Sequence, residues 1–255
     1  DPDLITRGGL KALQTADVVL YDALIDQELL TEAPAGAIKI YVGKRAGRHS
    51  WSQQQINHLL VQSALRCGHV VRLKGGDPFV LGRGQEEKEF AERKGVEVKV
   101  MPGVSSSTAL LGLQGVPTTH RGLSRSFWVI TGRTASGELP QDVYLAAKSE
   151  ATAIILMGIR RLKEILAVYR TEDKSDLPVM IIQNGSMENE KYWLGTVDSI
   201  EAKFNQEMDN GPGIIVLGEV VSLHPDWINQ EESDYDQFFQ EKGSDVPSLA
   251  ARSRS

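Results

Sequence analysis

Val70-Val71-Arg72-Leu73-Lys74-Gly75-Gly76-Asp77-Pro78-Phe79-Val80-Leu81-Gly82-Arg83-Gly84 is the stretch on which the fold turns. A short apolar run stops at Gly75-Gly76-Asp77-Pro78. The pattern reads as a buried strand whose end opens into a tight loop with exposed backbone. Two glycines remove both Cβ atoms, so a ligand can lie directly on the peptide groups. Asp77 adds a carboxylate and Pro78 fixes the exit. In α/β folds the space beyond the carboxyl end of a strand is where ligands bind. A lone Gly-Gly-Asp-Pro would read as a surface turn. Gly82 and Gly84, bracketing Arg83, favour a binding loop.

The same alternation recurs on both sides of that stretch. Upstream, Leu10 to Ala16 reads as a helix, Val18 to Tyr21 as a strand ending at Asp22, and Ile38 to Val42 as a strand stopped by Gly43. Ser52 to Arg66 reads as a helix capped by Ser52 and closed by Gly68. Downstream come a helix from about Gln85 to Lys94, a strand from Val96 to Val100, and a helix from Val104 to Leu113. The pattern breaks around 117–122, where a linker is expected. Strands follow at Ser126 to Thr131, Ala151 to Met157, Val179 to Ile182 and Gly213 to Gly218, with a helix from about Arg160 to Tyr169. Strand–helix alternation implies mostly parallel sheets with helices on their faces. The expected organisation is an α/β lobe over 1–120, a second α/β lobe over 121–228, and an acidic, disordered tail over 229–255.

The chain has 255 residues, 41% hydrophobic and 24% charged, which is ordinary globular composition. No run of about 18 apolar residues suggests a membrane span. The net charge of -6 argues against general nucleic-acid binding. The single cysteine, Cys67, excludes an internal disulfide and a cysteine-based zinc site, and it fits a reducing, cytoplasmic setting. No phosphate loop, dinucleotide fingerprint or nucleophile elbow occurs, and no His/Asp/Glu set has metal spacing, so no metal is expected.

Four strands end in a small or acidic signal: Tyr21-Asp22, Gly75-Gly76-Asp77, Met157-Gly158 and Asn184-Gly185. Parallel sheets would bring such ends to one cleft. Asp22 reads either as a cleft acid or as a turn cap. Gly43-Lys44-Arg45-Ala46-Gly47-Arg48-His49 reads either as a solvated loop or as an anion site, and His120, Arg121, Arg125 and Arg133 form a second basic group. Residues 85–89 read as the charged first turns of a helix, and His58, His69 and His224 as surface residues.

Asp1-Pro2-Asp3-Leu4-Ile5-Thr6, Tyr21-Asp22, Gly43 to Gly47, Arg72 to Gly84, Pro102-Gly103-Val104, Pro117 to Arg121, Met157-Gly158 and Gly213 to Val221 together resemble the uroporphyrinogen-III C-methyltransferase family of S-adenosylmethionine (SAM)-dependent tetrapyrrole methyltransferases. The resemblance runs from Asp1 to about Trp227. It implies two α/β lobes with a SAM-binding cleft between them and a homodimer. It also implies methyl transfer from SAM to C2 and C7 of uroporphyrinogen III, giving precorrin-2 for sirohaem or cobalamin synthesis. Carried over by position, it puts SAM contacts at Gly75, Gly76, Asp77, Val80, Ser105, Ser106, Met157 and Gly185. The proton acceptor falls on Asp22 and the proton donor on Lys44. Arg45, Arg48, His120 and Arg121 would bind the carboxylates of the substrate. The family has a strand and a Gly-x-Gly-Pro-Gly loop before the aspartate that matches Asp1, so the first lobe is expected to lack its first strand. Ser105-Ser106, Leu156 and Arg133 replace the family's usual Thr-Ala, Tyr and His. A sister methyltransferase acting on precorrin-2 or a later intermediate, and a non-catalytic SAM- or tetrapyrrole-binding remnant, are the alternatives.

Overall fold

The computed structural model describes residues 1–43, 51–134, 136–205 and 211–228. The chain forms two units, Asp1–Ala109 and Leu110–Ser255.

The first unit is built on three parallel strands, β1 (Val18–Tyr21), β2 (Ile38–Tyr41) and β3 (Val70–Leu73), in the order β2-β1-β3. Val18 lies opposite Ile38 and Val70, and Tyr21 opposite Tyr41 and Leu73. Asp22, Val42 and Lys74 therefore leave the sheet along one edge. The central strand is buried on both faces, which is why it reads as an unbroken apolar run. Val19 packs with Leu13, Ala16, Ala33 and Leu73 on one side. Val18 and Leu20 pack with Val42 and Ile56 on the other. Each such side chain contributes roughly 1.5–3 kcal/mol of burial.

Helix α1 (Arg7–Leu13) begins earlier than the apolar pattern suggests, because the Thr6 side chain accepts the Gly9 N–H. α2 (Gln53–Cys67) starts with a full capping box between Ser52 and Gln55 and ends at Gly68, φ 103°. α3 (Gly84–Glu92) begins after Arg83, itself in the left-handed region at φ 60°. The strand expected from Val96 to Val100 does not form. Its exposure alternates as a strand's would, with Val96, Val98 and Val100 half-buried and Glu97 and Lys99 exposed. Among the described residues, however, no neighbouring strand pairs with it. Alternation marks a face, but a strand also needs a ladder for its N–H and C=O groups.

α4 (Ser106–Leu113) spans the boundary, and the second unit continues with β4 (Phe127–Thr131), α5 (Gln141–Ala147), β5 (Thr152–Leu156), α6 (Leu162–Thr171), β6 (Pro178–Gln183), β7 (Lys191–Thr196), α7 (Ile200–Asn205) and β8 (Gly213–Leu217). The five strands run in the order β4-β5-β8-β6-β7. Only β4 and β5 are parallel neighbours; β8 is antiparallel to β5 and β6, and β7 to β6. The expectation of a mostly parallel sheet thus holds for the first unit and fails here. Three elements, α5, β7 and α7, are not expected from the sequence, and of these β7 supplies part of the difference as an antiparallel edge strand. β7 shows no period of two, because Trp193, Leu194 and Gly195 are buried in succession. Both faces of this sheet are covered. Ile155, Ile181 and Ile215 pack against Leu166, Tyr169 and Phe204 on one side. Ile154, Met180 and Val216 pack with Leu111, Val220 and Val221 on the other.

β5 and β6 both run antiparallel to β8, so they run the same way as each other and as β4. Thr131 lies opposite Leu156, Leu156 opposite Ile214, and Gln183 opposite Gly213. The carboxyl ends of β4, β5 and β6 therefore share one edge, which carries Gly132, Met157-Gly158 and Asn184-Gly185. The tail 229–255 lies outside the described residues.

Candidate active site

At the carboxyl edge of the first sheet, the loop after β3 is fixed by the Asp77 carboxylate. Oδ1 accepts the Phe79 N–H at 2.8 Å and Oδ2 accepts the Gly103 N–H at 3.0 Å. The side chain is thereby committed to tying two loops together. The two loops approach so closely that a Cβ on Gly103 would lie 2.2 Å from the Gly76 carbonyl oxygen. Gly76 has φ 71°, and a Cβ there would meet nothing nearer than 3.9 Å. Its glycine answers the left-handed backbone and leaves an exposed peptide face. Gly75 differs from the expectation of a bare ligand platform: the space of its missing Cβ is filled by Leu24, whose carbonyl oxygen would be 2.7 Å away. Val80 belongs to the same turn, its N–H donating to the Asp77 carbonyl. The Ser105 hydroxyl lies 2.8 Å from that of Ser107, and Ser105 leads directly into Ser106 and α4. Gly75, Gly76, Asp77, Val80, Ser105 and Ser106 are thus held around one pair of loops.

Asp22 leaves β1 at the same edge. Oδ1 accepts the Leu24 N–H at 3.1 Å, so the turn-cap reading is satisfied. Oδ2 faces the Arg72 guanidinium at 3.4 Å, so the carboxylate also has a charged partner. Arg72 in turn lies 3.4 Å from Glu87, and Lys74 lies 3.6 Å from the other Glu87 oxygen. Gln53 Nε2 donates to Glu87 at 3.0 Å and to Asn57 at 2.9 Å. Two acids and two bases form a neutral, largely buried cluster, with Glu87 6% and Lys74 11% exposed. Burial pushes the Lys74 ammonium below the usual lysine range, and the nearby Arg72 adds to the effect.

Residues 85–89 are therefore not all a solvated first turn: Glu87 points inward while Glu86 pairs with exposed Arg83. Arg72, Lys74 and Glu87 were not singled out in the sequence. The available signal was two cationic side chains at alternate positions, Arg72 and Lys74, inside a run that otherwise reads as buried.

In the second unit, Met157 and Gly185 stand at the shared carboxyl edge. Met157 is 52% exposed and holds φ 58°, and Asn184 and Ser186 are also left-handed. Three non-glycine residues in that region at two strand ends are costly, of order 1–3 kcal/mol each, and such strain clusters at functional sites. Gly185 meets Leu110, which would lie 2.4 Å from a Cβ. His120 and Arg121 are exposed in a turn closed by the His120–Ser124 bridge. Ser124 bonds the Ser126 and Glu150 carbonyls at the amino ends of β4 and β5, so this turn lies at the end of the sheet away from Met157 and Gly185. Lys44, Arg45 and Arg48 lie outside the described residues. His224, expected at the surface, is only 4% exposed.

The chain matches the Tetrapyrrole (Corrin/Porphyrin) Methylases over residues 1–201. It is 44% identical to the uroporphyrinogen-III C-methyltransferase of Methanocaldococcus jannaschii over 225 residues, covering 88% of this chain and 93% of that one. It is 42% identical to the protein of that name from Methanobacterium ivanovii, covering 88% and 94%. Its fold is similar to a crystal structure of the Thermus thermophilus uroporphyrin-III C-methyltransferase complexed with S-adenyl homocysteine, with a TM-score of 0.74, 36% identity, and coverage of 88% and 94%.

Proposed function

Because this chain belongs to the tetrapyrrole methylases, we propose that it transfers methyl groups from SAM to C2 and C7 of uroporphyrinogen III, giving precorrin-2. The observation that carries the reading is its 44% identity, along nearly the whole length, to a protein named for that reaction. The paired loops at Gly76 and Gly103 support it locally. They leave exposed backbone at a strand's carboxyl end, which suits a nucleoside-bearing ligand.

In this reading Gly75, Gly76, Asp77, Val80, Ser105, Ser106, Met157 and Gly185 hold SAM. Asp77 acts through the peptide groups it fixes, each of its oxygens accepting one backbone N–H. SAM supplies an electrophilic methyl on a sulfonium, with no metal required. The substrate's pyrrole carbons are already electron-rich, so the chain's main task is alignment, worth about 7 kcal/mol or more. Asp22 accepts the proton that the methylated macrocycle releases from a neighbouring position to restore conjugation, with Arg72 orienting the carboxylate. Lys44 acts as the proton donor, and Arg45, Arg48, His120 and Arg121 bind carboxylates of the porphyrinogen. The working form is a homodimer, and the setting is the cytoplasm. Among the described residues no helix is long and apolar enough to cross a membrane.

Incubation with SAM and uroporphyrinogen III, followed by mass spectrometry of the product, tests the reaction. Gain of two methyl groups is expected. Binding of SAM without any methylated product would overturn the enzymatic reading.

A further inference from the structure

The loop 184–190 after β6 is held by side chains to which the proposed reaction gives no part. Asn184 and Ser186 have φ 52° and 64°, a conformation that non-glycine residues keep only where their surroundings over-determine it. Glu190 supplies part of that restraint: one carboxylate oxygen accepts the Ser186 N–H at 2.5 Å. Its other oxygen accepts from Gln114 Nε2 at 2.5 Å. The Gln114 carbonyl oxygen faces His224 Nε2 at 3.3 Å. His224 Nδ1 accepts the Asp226 N–H at 3.1 Å, so the neutral ring carries its proton on Nε2 and donates to Gln114. Each link fixes the orientation of the next, from the imidazole to the backbone of the loop.

His224 is suited to anchor this chain. It is 4% exposed, and its ring packs on that of Tyr192, with centroids 5.0 Å apart. The Tyr192 hydroxyl donates to the Asp226 carboxylate. Among the described residues Asp226 and Tyr192 are the ionisable groups facing the ring, with Glu190 reached through Gln114, an uncharged residue just past the end of α4. Burial lowers the His224 pKa more than Asp226 raises it, which favours the neutral tautomer.

We propose that His224 is a positioning residue for methyl transfer: through Gln114 and Glu190 it holds the loop 184–190 in the form that presents Gly185 to SAM. This rests on the reading of Gly185 as a SAM contact.

The test uses the full chain with His224→Leu, His224→Gln and Gln114→Leu. His224→Leu cuts the chain at its origin. It should raise KM for SAM by about threefold to tenfold, the worth of one hydrogen bond, with kcat at saturating SAM little changed. The Ser186 amide should exchange faster with deuterium. His224→Gln keeps a donor towards Gln114 and should recover most of the loss. Gln114→Leu should reproduce the effect, and the double variant with His224→Leu should be no worse than either alone. Additive losses, no rescue by glutamine, or unchanged Ser186 exchange in a wild type that binds SAM normally would overturn the inference while leaving the reaction intact. Faster Ser186 exchange with an unchanged KM for SAM would remove Gly185 from the SAM site, and the inference would fall with that assignment.

Discussion

Glu87 is a residue whose importance its sequence neighbours conceal. It faces both Arg72 and Lys74 while only 6% exposed. Removing one partner of a buried charge set leaves the others uncompensated, at about 3–5 kcal/mol. Glu87→Leu should therefore lower the unfolding free energy by about that much in denaturant titration, far more than Glu86→Leu on the exposed neighbour. Equal, small losses for the two would mean that the cluster is not coupled. Asp22→Asn keeps the turn cap to Leu24 and the shape of the side chain but loses the base. Turnover should fall about a hundredfold to ten-thousandfold with SAM affinity nearly unchanged by calorimetry; an unaltered rate would leave Asp22 as a turn cap only. Gly76→Ala puts a Cβ on a φ of 71°, at about 1–2 kcal/mol, and should weaken SAM binding by calorimetry. Unchanged affinity would remove this peptide from the SAM site. At this scale the sequence disclosed Asp22, Gly76 and Asp77 because strand ends and glycine pairs are local signals. It did not disclose the pairing of Arg72, Lys74 and Glu87, because an ion pair between a strand and a helix depends on packing that no short pattern encodes.

Elements were legible where one period dominated. α2 announced itself through Ser52, Gln55 and Gly68, and β1, β5 and β6 through apolar runs closed by turn residues. Val96 to Val100 had the right alternation and no ladder, so the pattern described a half-buried face and not a strand. β7 had the ladder and no alternation. The direction of β8 was equally hidden, since Gly213–Leu217 has the same buried composition whichever way it runs. The segment after β8 also carries the pH response. His224 has a lowered pKa through burial, whereas an unfolded histidine titrates near about 6.5. Above that value both states are neutral and the contribution of the ring is complete. As pH falls below it, the unfolded chain takes up a proton that the folded chain refuses, and stability is lost until the folded value is passed. Between about pH 7.5 and about pH 5.5 the unfolding free energy should drop more in the wild type than in His224→Gln. Parallel pH profiles would show that His224 does not titrate differently on folding.

Across the whole molecule, two electrostatic effects oppose each other when the substrate carries carboxylates. The chain has a net charge of -6, which repels a polyanion. The tail 229–255 holds six acids and three bases, so half of that excess lies there and the remaining 228 residues are nearly balanced. Charges more than a Debye length away, about 8 Å at physiological ionic strength, are largely screened, whereas a guanidinium in contact with a carboxylate is worth roughly 1.5–3 kcal/mol. Local cations should therefore outweigh the global field. Salt distinguishes the two, because screening removes attraction at the contacts or repulsion from the net charge, whichever is larger. Raising salt from about 0.05 M to about 0.5 M should increase KM for uroporphyrinogen III severalfold and leave KM for SAM little changed. The increase should shrink in Arg121→Ala and in Arg48→Ala if those side chains meet substrate carboxylates. A fall in KM for the porphyrinogen with salt would mean that net repulsion governs its approach. A salt dependence left intact in both variants would move the carboxylate contacts to other cations.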